Sequence, residues 1–285
     1  MKELTLTGII KSKLDRLTDK VVSLSYLGVD ITSLDNTPMV AIVGTRKPTP
    51  YGKLMTEKLS EDLARAGVVI VSGLALGVDG IALQAAVRAK GQTIAVLPSG
   101  LEHIYPATNR PIAEHIIKEN GAIISEYGAK HTPFKVDFLQ RNRIIAALSD
   151  IVIIPEAAGH SGSLNTATHA KNMGIPVCVV PGNVTSPMSA GTNYLLKNSA
   201  FAVTEASDIL KMLHINTKSQ QLTLDLTGGT PQETLILQTI ARGINDSSEL
   251  QTHTKLETVH FQTAITMLEI QGRIASDELG NWRLV

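Results

Sequence analysis

Six short apolar runs constrain this chain more than any other feature: "MVAIVGT", "VVIVSGL", "TIAVLPSG", "AIISEY", "DIVIIPEA" and "IPVCVVPG". They fall between residues 39 and 182, and most are nearly continuous in Val, Ile and Ala. A strand with one wet face alternates apolar and polar residues. An unbroken run is how a strand reads when both of its faces are covered, as in a parallel sheet. Helical patterns separate the runs at 52–66, 80–90, 109–120, 139–149 and 163–173. Strand and helix in repetition, joined by right-handed crossovers, predict the α/β class with a doubly wound, mostly parallel sheet. The run "VVSLSYLG" at 21–28 adds a candidate edge strand.

The pattern closes with "AFAVTEASDILKML", near Leu213. Residues 214–229 lose it and read as a linker. Beyond them come three helical patterns, "PQETLILQTIARG", "SSELQTHT" and "LETVHFQTAITMLEIQG", and then "RIASDELGNWRLV", which reads as a hairpin. That order predicts a small winged helix-turn-helix over 230–285. Residues 1–20 read as an N-terminal extension to a main domain of 21–213.

The formal net charge is zero, so any anion site must be local. The single cysteine, Cys178, lies in an apolar run, which excludes a disulfide framework and a cysteine metal cluster. The start, "MKELTLTGIIKSKLDR", has no apolar signal region, and no run reaches membrane-spanning length. The expectation is a soluble cytoplasmic protein with no membrane partner.

In an open parallel sheet, ligands sit outside the carboxyl ends of the strands. The loops that leave those ends, such as "GTRKPTPYG", "SGLALGVDG" and "PEAAGHSGSLNTA", are rich in Gly, Ser and Thr. Small residues let backbone N–H groups close around a phosphate. Known phosphate and nucleophile signatures are not met. "GTRKPT" is not G-x-G-x-x-G, Leu54 follows Gly52-Lys53 where a Walker loop has Ser or Thr, and "HSGSL" is not G-x-S-x-G. The eight histidines form no H-x-x-x-H pair.

Cations do gather on this rim. Arg46 leaves the first strand's carboxyl end; Lys135 and Phe138 stand just before a helix whose first turn would hold Arg141, Asn142 and Arg143. Cations at a helix N-terminus oppose its dipole, so something must compensate them. One reading is a polyanion with stackable bases, since single strands are bound by a basic groove with aromatic platforms. The other, of equal weight for Arg141 and Arg143, is ion pairing with Glu126, Glu156 or Asp150.

The chain resembles the DNA-processing protein A (DprA/Smf) family in "VAIVGTRKPTPYG", "VIVSGLALGVDG", "TIAVLPSGLEHIYPATN", "GAIISEYG", "RNRIIAALSD", "PEAAGHSGSLNTATHAKNMG" and "VPGNVTSPMSAGTNYLL". These cover about residues 39 to 200. The resemblance implies an extended Rossmann-like domain that binds single-stranded DNA without catalysis, as a homodimer. It also implies a mediator that loads the RecA recombinase on incoming strands in natural transformation. It assigns Gly44, Thr45, Arg46, Lys135 and Phe138 to the DNA pocket, with Arg141, Asn142, Arg143 and Ser161, Gly162, Ser163 bordering it. No catalytic residue, metal or cofactor is implied. The chain departs from the family at Leu76, Leu83 and Leu139, where Arg, His and Pro are usual.

The C-terminal region holds four Lys or Arg against seven Asp or Glu from residue 230 on, a net charge of −3. That sign disfavours a phosphate-driven duplex reader and a dedicated transcription regulator, and favours protein contact. The rival function is a nucleotide enzyme, such as a nucleoside monophosphate phosphoribohydrolase with Glu156 as its acid or nucleophile.

Overall fold

The structure, a computed structural model, describes residues 2–215, 228–241, 243–276 and 281–284. The chain divides into two compact units, Met1–Asn216 and Thr217–Val285.

The first unit is built on a nine-stranded sheet of order β1-β2-β6-β5-β4-β3-β7-β8-β9. Its parallel strands are β3 (Met39–Ile42), β4 (Val69–Ser72), β5 (Thr93–Val96), β6 (Ala122–Ser125), β7 (Ile151–Ile154), β8 (Val177–Val179) and β9 (Phe201–Ala202). Every residue of β3 to β7 is buried, which is why these runs do not alternate. Each strand from β3 to β9 is followed by a helix, in order α2 (Pro50–Arg65), α3 (Val78–Arg88), α4 (Arg110–Lys118), α5 (Lys135–Leu148), α6 (Ser163–Asn172), α7 (Ala190–Lys197) and α8 (Ala206–Met212). One apolar layer joins Val40, Ile42, Leu59, Leu63 and Ile70; the layer on the other face joins Ala41, Val71, Ile144, Ile145 and Leu148. Burying each large aliphatic of these layers stabilises the fold by roughly 1.5–3 kcal/mol.

Strand order decides where a ligand can sit. From β3 the chain builds outward to β6 on one side, then crosses back to place β7 on the other. The crevice between the carboxyl ends of β3 and β7 is therefore the topological switch point.

Two expectations change. Residues 2–17 are not set apart from the main domain. β1 (Lys2–Leu4) pairs antiparallel with β2 (Leu24–Gly28) and takes the sheet edge expected of the 21–28 run. α1 (Gly8–Leu14) buries Ile10 and Leu14 in the main core. Its Lys13 ammonium lies 2.9 Å from Asp150 and donates to the Leu148 carbonyl. A short amphipathic segment followed by a strand cannot bury its apolar face alone, so it joins the sheet's core.

The second change concerns α5. It starts at Lys135, not near Leu139, because the Asp137 carboxylate accepts the Phe134 N–H at 2.8 Å and caps the earlier start. Lys135 and Phe138 thus belong to the first turn, whereas Arg141 and Arg143 lie well inside the helix. The unfavourable end effect does not reach them, since it fades within one turn.

The second unit holds α9 (Pro231–Ala241), α10 (Ser247–Thr254), α11 (Thr258–Ile270) and an antiparallel ladder of β10 (Ile274–Ser276) with β11 (Trp282–Leu284). Asp246 caps α10 by accepting the Ser248 and Glu249 N–H groups. Ile236, Ile240, Leu250, Phe261 and Leu268 form its core. Three helices followed by a two-stranded ladder is the order the sequence predicts for a winged helix. Most of the expected linker, residues 216–227, lies outside the described residues. Among the described residues no helix is long and apolar enough to cross a membrane.

Candidate nucleic-acid interface

A cavity of about 620 Å³ opens at the switch point. The loop after β3 contributes Gly44, Thr45 and Arg46; the loop between β7 and α6 contributes Ser161 and Gly162, and α6 its first residue, Ser163; α5 contributes Phe138, Arg141 and Asn142. Two of the sequence-expected residues do not line it. Lys135 is exposed on the first turn of α5, and Arg143 is buried behind the helix.

The β3 loop is held at several points. The Thr45 N–H donates to the Glu156 carbonyl at 2.9 Å. A Cβ on Gly44 would stand 2.8 Å from that same carbonyl, so only glycine lets this turn pass. Gly77 has φ of +78°, and a Cβ there would meet the Thr45 carbonyl at 2.4 Å. The close approach allows the Val78 N–H to donate to that carbonyl at 3.1 Å. The result is a rigid loop that leaves the Arg46 side chain exposed at the cavity mouth.

Arg46 meets an aromatic pair there. Its guanidinium carbon lies 5.3 Å from the Phe138 ring centroid, within cation–π range. Phe138 is half-buried and meets Tyr105 edge-on, with centroids 5.5 Å apart and planes at 72°. Leu76, which stands where the resemblance leads one to expect arginine, is exposed and lines a small cleft with Arg46, Tyr105 and Phe138. Leu139 is exposed at the main cavity, whereas Leu83 is fully buried among Leu74, Leu97 and Ile116.

Arg141 and Arg143 take internal partners. Arg141 is 3% exposed and donates from Nη1 to the carbonyls of Gly73, at 2.6 Å, and Val96. Burial lowers its pKa to about 10, offset by the nearby Asp79 carboxylate. Asp79 sits in the first turn of α3 and accepts the Gly73 N–H at 3.1 Å and the Gly44 N–H at 3.4 Å. Burial raises the Asp79 carboxyl, while Arg141, those two amides and Arg46 pull it back. Arg143 pairs with Glu126 at 2.5 Å, one of the carboxylates the sequence offered as its partner. Burial raises the Glu126 carboxyl against the pull of Arg143.

The third wall is the N-terminus of α6. The Ser161 and Ser163 hydroxyls are 2.8 Å apart, and Asn142 Nδ2 reaches the Gly162 carbonyl at 3.3 Å. A helix N-terminus beside hydroxyls favours an anionic group. Exposed Arg46, this helix end and Phe138 stand around one cavity, and Tyr105 lines the small cleft beside it. Among the described residues no cluster of His, Cys, Asp or Glu is placed to hold a metal.

Glu156 points elsewhere. It is 3% exposed and accepts both the Thr49 N–H, at 2.8 Å, and the Thr49 hydroxyl, at 2.7 Å. It borders a separate groove with Tyr51 and Asn183. The acid or nucleophile expected of the rival enzyme thus bonds to Thr49 and stands outside the switch-point cavity.

Sequence reasoning missed Asp79 and Tyr105. Asp79 carried one signal, its place at the start of a helix after "GLALGV". Tyr105 carried none, because α4 and β6 separate it in sequence from Phe138.

The family described as DNA recombination-mediator protein A matches residues 10–214. DNA processing protein DprA of Bacillus subtilis is 42% identical over 65% of this chain and 62% of its own length. Protein Smf of Escherichia coli is 41% identical over 61% of this chain and 46% of its own. The chain thus spans roughly half to two thirds of the length of these curated relatives. The structure of DNA processing protein A from Helicobacter pylori, described for its single-stranded DNA binding mode, superposes with a TM-score of 0.68 at 40% identity. It covers 75% of this chain and 95% of that one. DNA processing protein A of Streptococcus pneumoniae gives 0.67 at 35% identity, covering 74% of this chain and 73% of that one.

Proposed function

The chain belongs to the DNA recombination-mediator protein A family, and from that premise we propose that it binds single-stranded DNA across the switch-point cavity without chemical turnover. Phosphates lie along Arg46, the Gly44 turn and the Ser161–Ser163 helix end, with Lys135 at the approach; a base stacks on Phe138. The observation that carries this reading is the exposed Arg46 guanidinium over the Phe138 ring, 5.3 Å away, at the mouth of a cavity lined by the hydroxyl-bearing Ser161 and Ser163. Arg141 and Asn142 form part of the cavity wall, and Arg143 braces α5 through Glu126. The bound strand is handed to a recombinase of the RecA type during natural transformation, by a homodimer in the cytoplasm. The acidic C-terminal unit serves protein contact rather than duplex reading.

Titration of the full chain with single-stranded and duplex oligonucleotides across a salt series tests the binding. Preference for the single strand, with affinity falling as salt rises, is the expected result; equal binding to both would overturn it. Incubation with nucleoside monophosphates addresses the rival enzyme, and the expected result is no free base. RecA filament assembly on a strand coated with a single-strand binding protein tests the loading role, and sedimentation at micromolar concentration tests the homodimer.

A further inference from the structure

A second aromatic group lies in the loop that leads into α5, ahead of Phe138. The Tyr127 and His131 rings stack face to face, with centroids 4.5 Å apart and planes within 10°. Phe134 meets His131 edge-on at 6.1 Å and is 69% exposed. One exposed phenylalanine needs no explanation. This one tops an ordered ring stack and has two exposed lysines, Lys130 and Lys135, close by in the chain.

The group is built to hold its shape. His131 Nε2 donates to the Asp137 carboxylate at 2.7 Å, and the same carboxylate accepts the Phe134 N–H. The His131 carbonyl accepts the Gly100 N–H at 2.9 Å, and the Ala129 carbonyl accepts the Glu102 N–H at 3.1 Å. The loop carrying Tyr127 and His131 is thereby tied to the loop that leads to Tyr105. Phe134 is the N-cap residue of α5, in extended conformation, and Phe138 follows in the first turn, so the two rings stand at the same end of one helix.

We propose that Phe134, backed by the His131–Tyr127 stack, is a second nucleobase platform, so that the strand seated on Phe138 continues over the start of α5 with Lys130 and Lys135 along its phosphates. Aromatic platforms beside a basic track are how single strands are held without sequence preference. The proposal rests on the reading of the switch-point cavity as the first subsite. It adds a direction for the strand, outward from β3 towards the side of β6.

The test is the affinity of the full-length protein for a series of oligothymidylates, from the shortest that binds upward. Phe134→Ala should weaken binding about tenfold for the longer oligonucleotides, the loss of one stacked base. It should leave the shortest unaffected and the salt slope unchanged, and Phe134→Trp should restore the loss. Wild-type affinity of Phe134→Ala at every length, with Arg46→Ala defective, would overturn the second platform and leave the first subsite standing. Equal loss at every length would also overturn it, because Phe134 would then act at the first subsite or on the helix start. If neither variant changes binding, the underlying reading of the cavity fails as well.

Discussion

The Arg46 guanidinium lies over the face of the Phe138 ring, 5.3 Å from its centroid, while Tyr105 meets the same ring edge-on. Charge and stacking are therefore coupled at one point. Arg46→Ala removes a phosphate contact, so the slope of log K against log salt should shrink by about 0.7 on single strands. Phe138→Ala should weaken binding by about 1–3 kcal/mol at every salt concentration, with little change of slope. The double variant should fall short of the sum by roughly 0.5–1 kcal/mol, the range of an exposed cation–π contact. Strict additivity would show that the two side chains act independently. Phe138 is half-buried, so the melting temperature of each variant must be measured beside its affinity.

Arg141 should behave in the opposite way. Its guanidinium is buried beside Asp79 and holds the carbonyls of Gly73 and Val96. Arg141→Leu leaves a buried carboxylate without its compensating charge, which costs about 3–5 kcal/mol. Urea unfolding of the isolated first unit should show this loss, whereas Arg46→Ala should stay within about 0.5 kcal/mol of wild type.

Asp137 links stability to acid. Burial pushes its carboxyl up, but the Phe134 N–H, His131 and Tyr127 together hold it below the ordinary 3.8. A carboxyl lowered by folding adds stability that is complete above its unfolded value and is lost as pH falls through its folded value. Asp137→Asn should therefore destabilise the protein by about 1–2 kcal/mol at pH 7. The gap should begin to close as pH drops below about 4. A gap that stays constant down to pH 2 would remove the carboxylate from the cap.

Single-strand affinity should reside in the first unit. A protein ending at Asn216, where that unit ends, should keep most of the affinity of the full chain, and residues 230–285 alone should bind poorly. Retention by the C-terminal piece alone would reverse the assignment.

Much of the fold was legible because its signals are local. Continuous runs such as "DIVIIPEA" mark strands buried on both faces, and the helices between them carry their own period. The start of α5 was misplaced because its cap, Asp137, is not a usual N-cap residue but an acceptor three residues inside. The N-terminal segment was misread because its partners, Asp150 and the Leu148 carbonyl, lie more than 100 residues away.

The sequence alone determined the parallel sheet, the loops at its carboxyl ends and the cations among them, for these follow from periodicity and residue type. It favoured a ligand for Arg46, but for Arg141 and Arg143 it could not choose between a ligand and internal partners. Those two carry the same side chain two residues apart on one helix. Only the tertiary structure decided that choice. Folding brings the Gly73 and Val96 carbonyls, 68 and 45 residues away in sequence, to Arg141, and Glu126 to Arg143. A buried guanidinium needs such partners to offset its lost hydration. Arg46 remains exposed over Phe138 because its loop runs outward from the sheet, where water can still reach the charge.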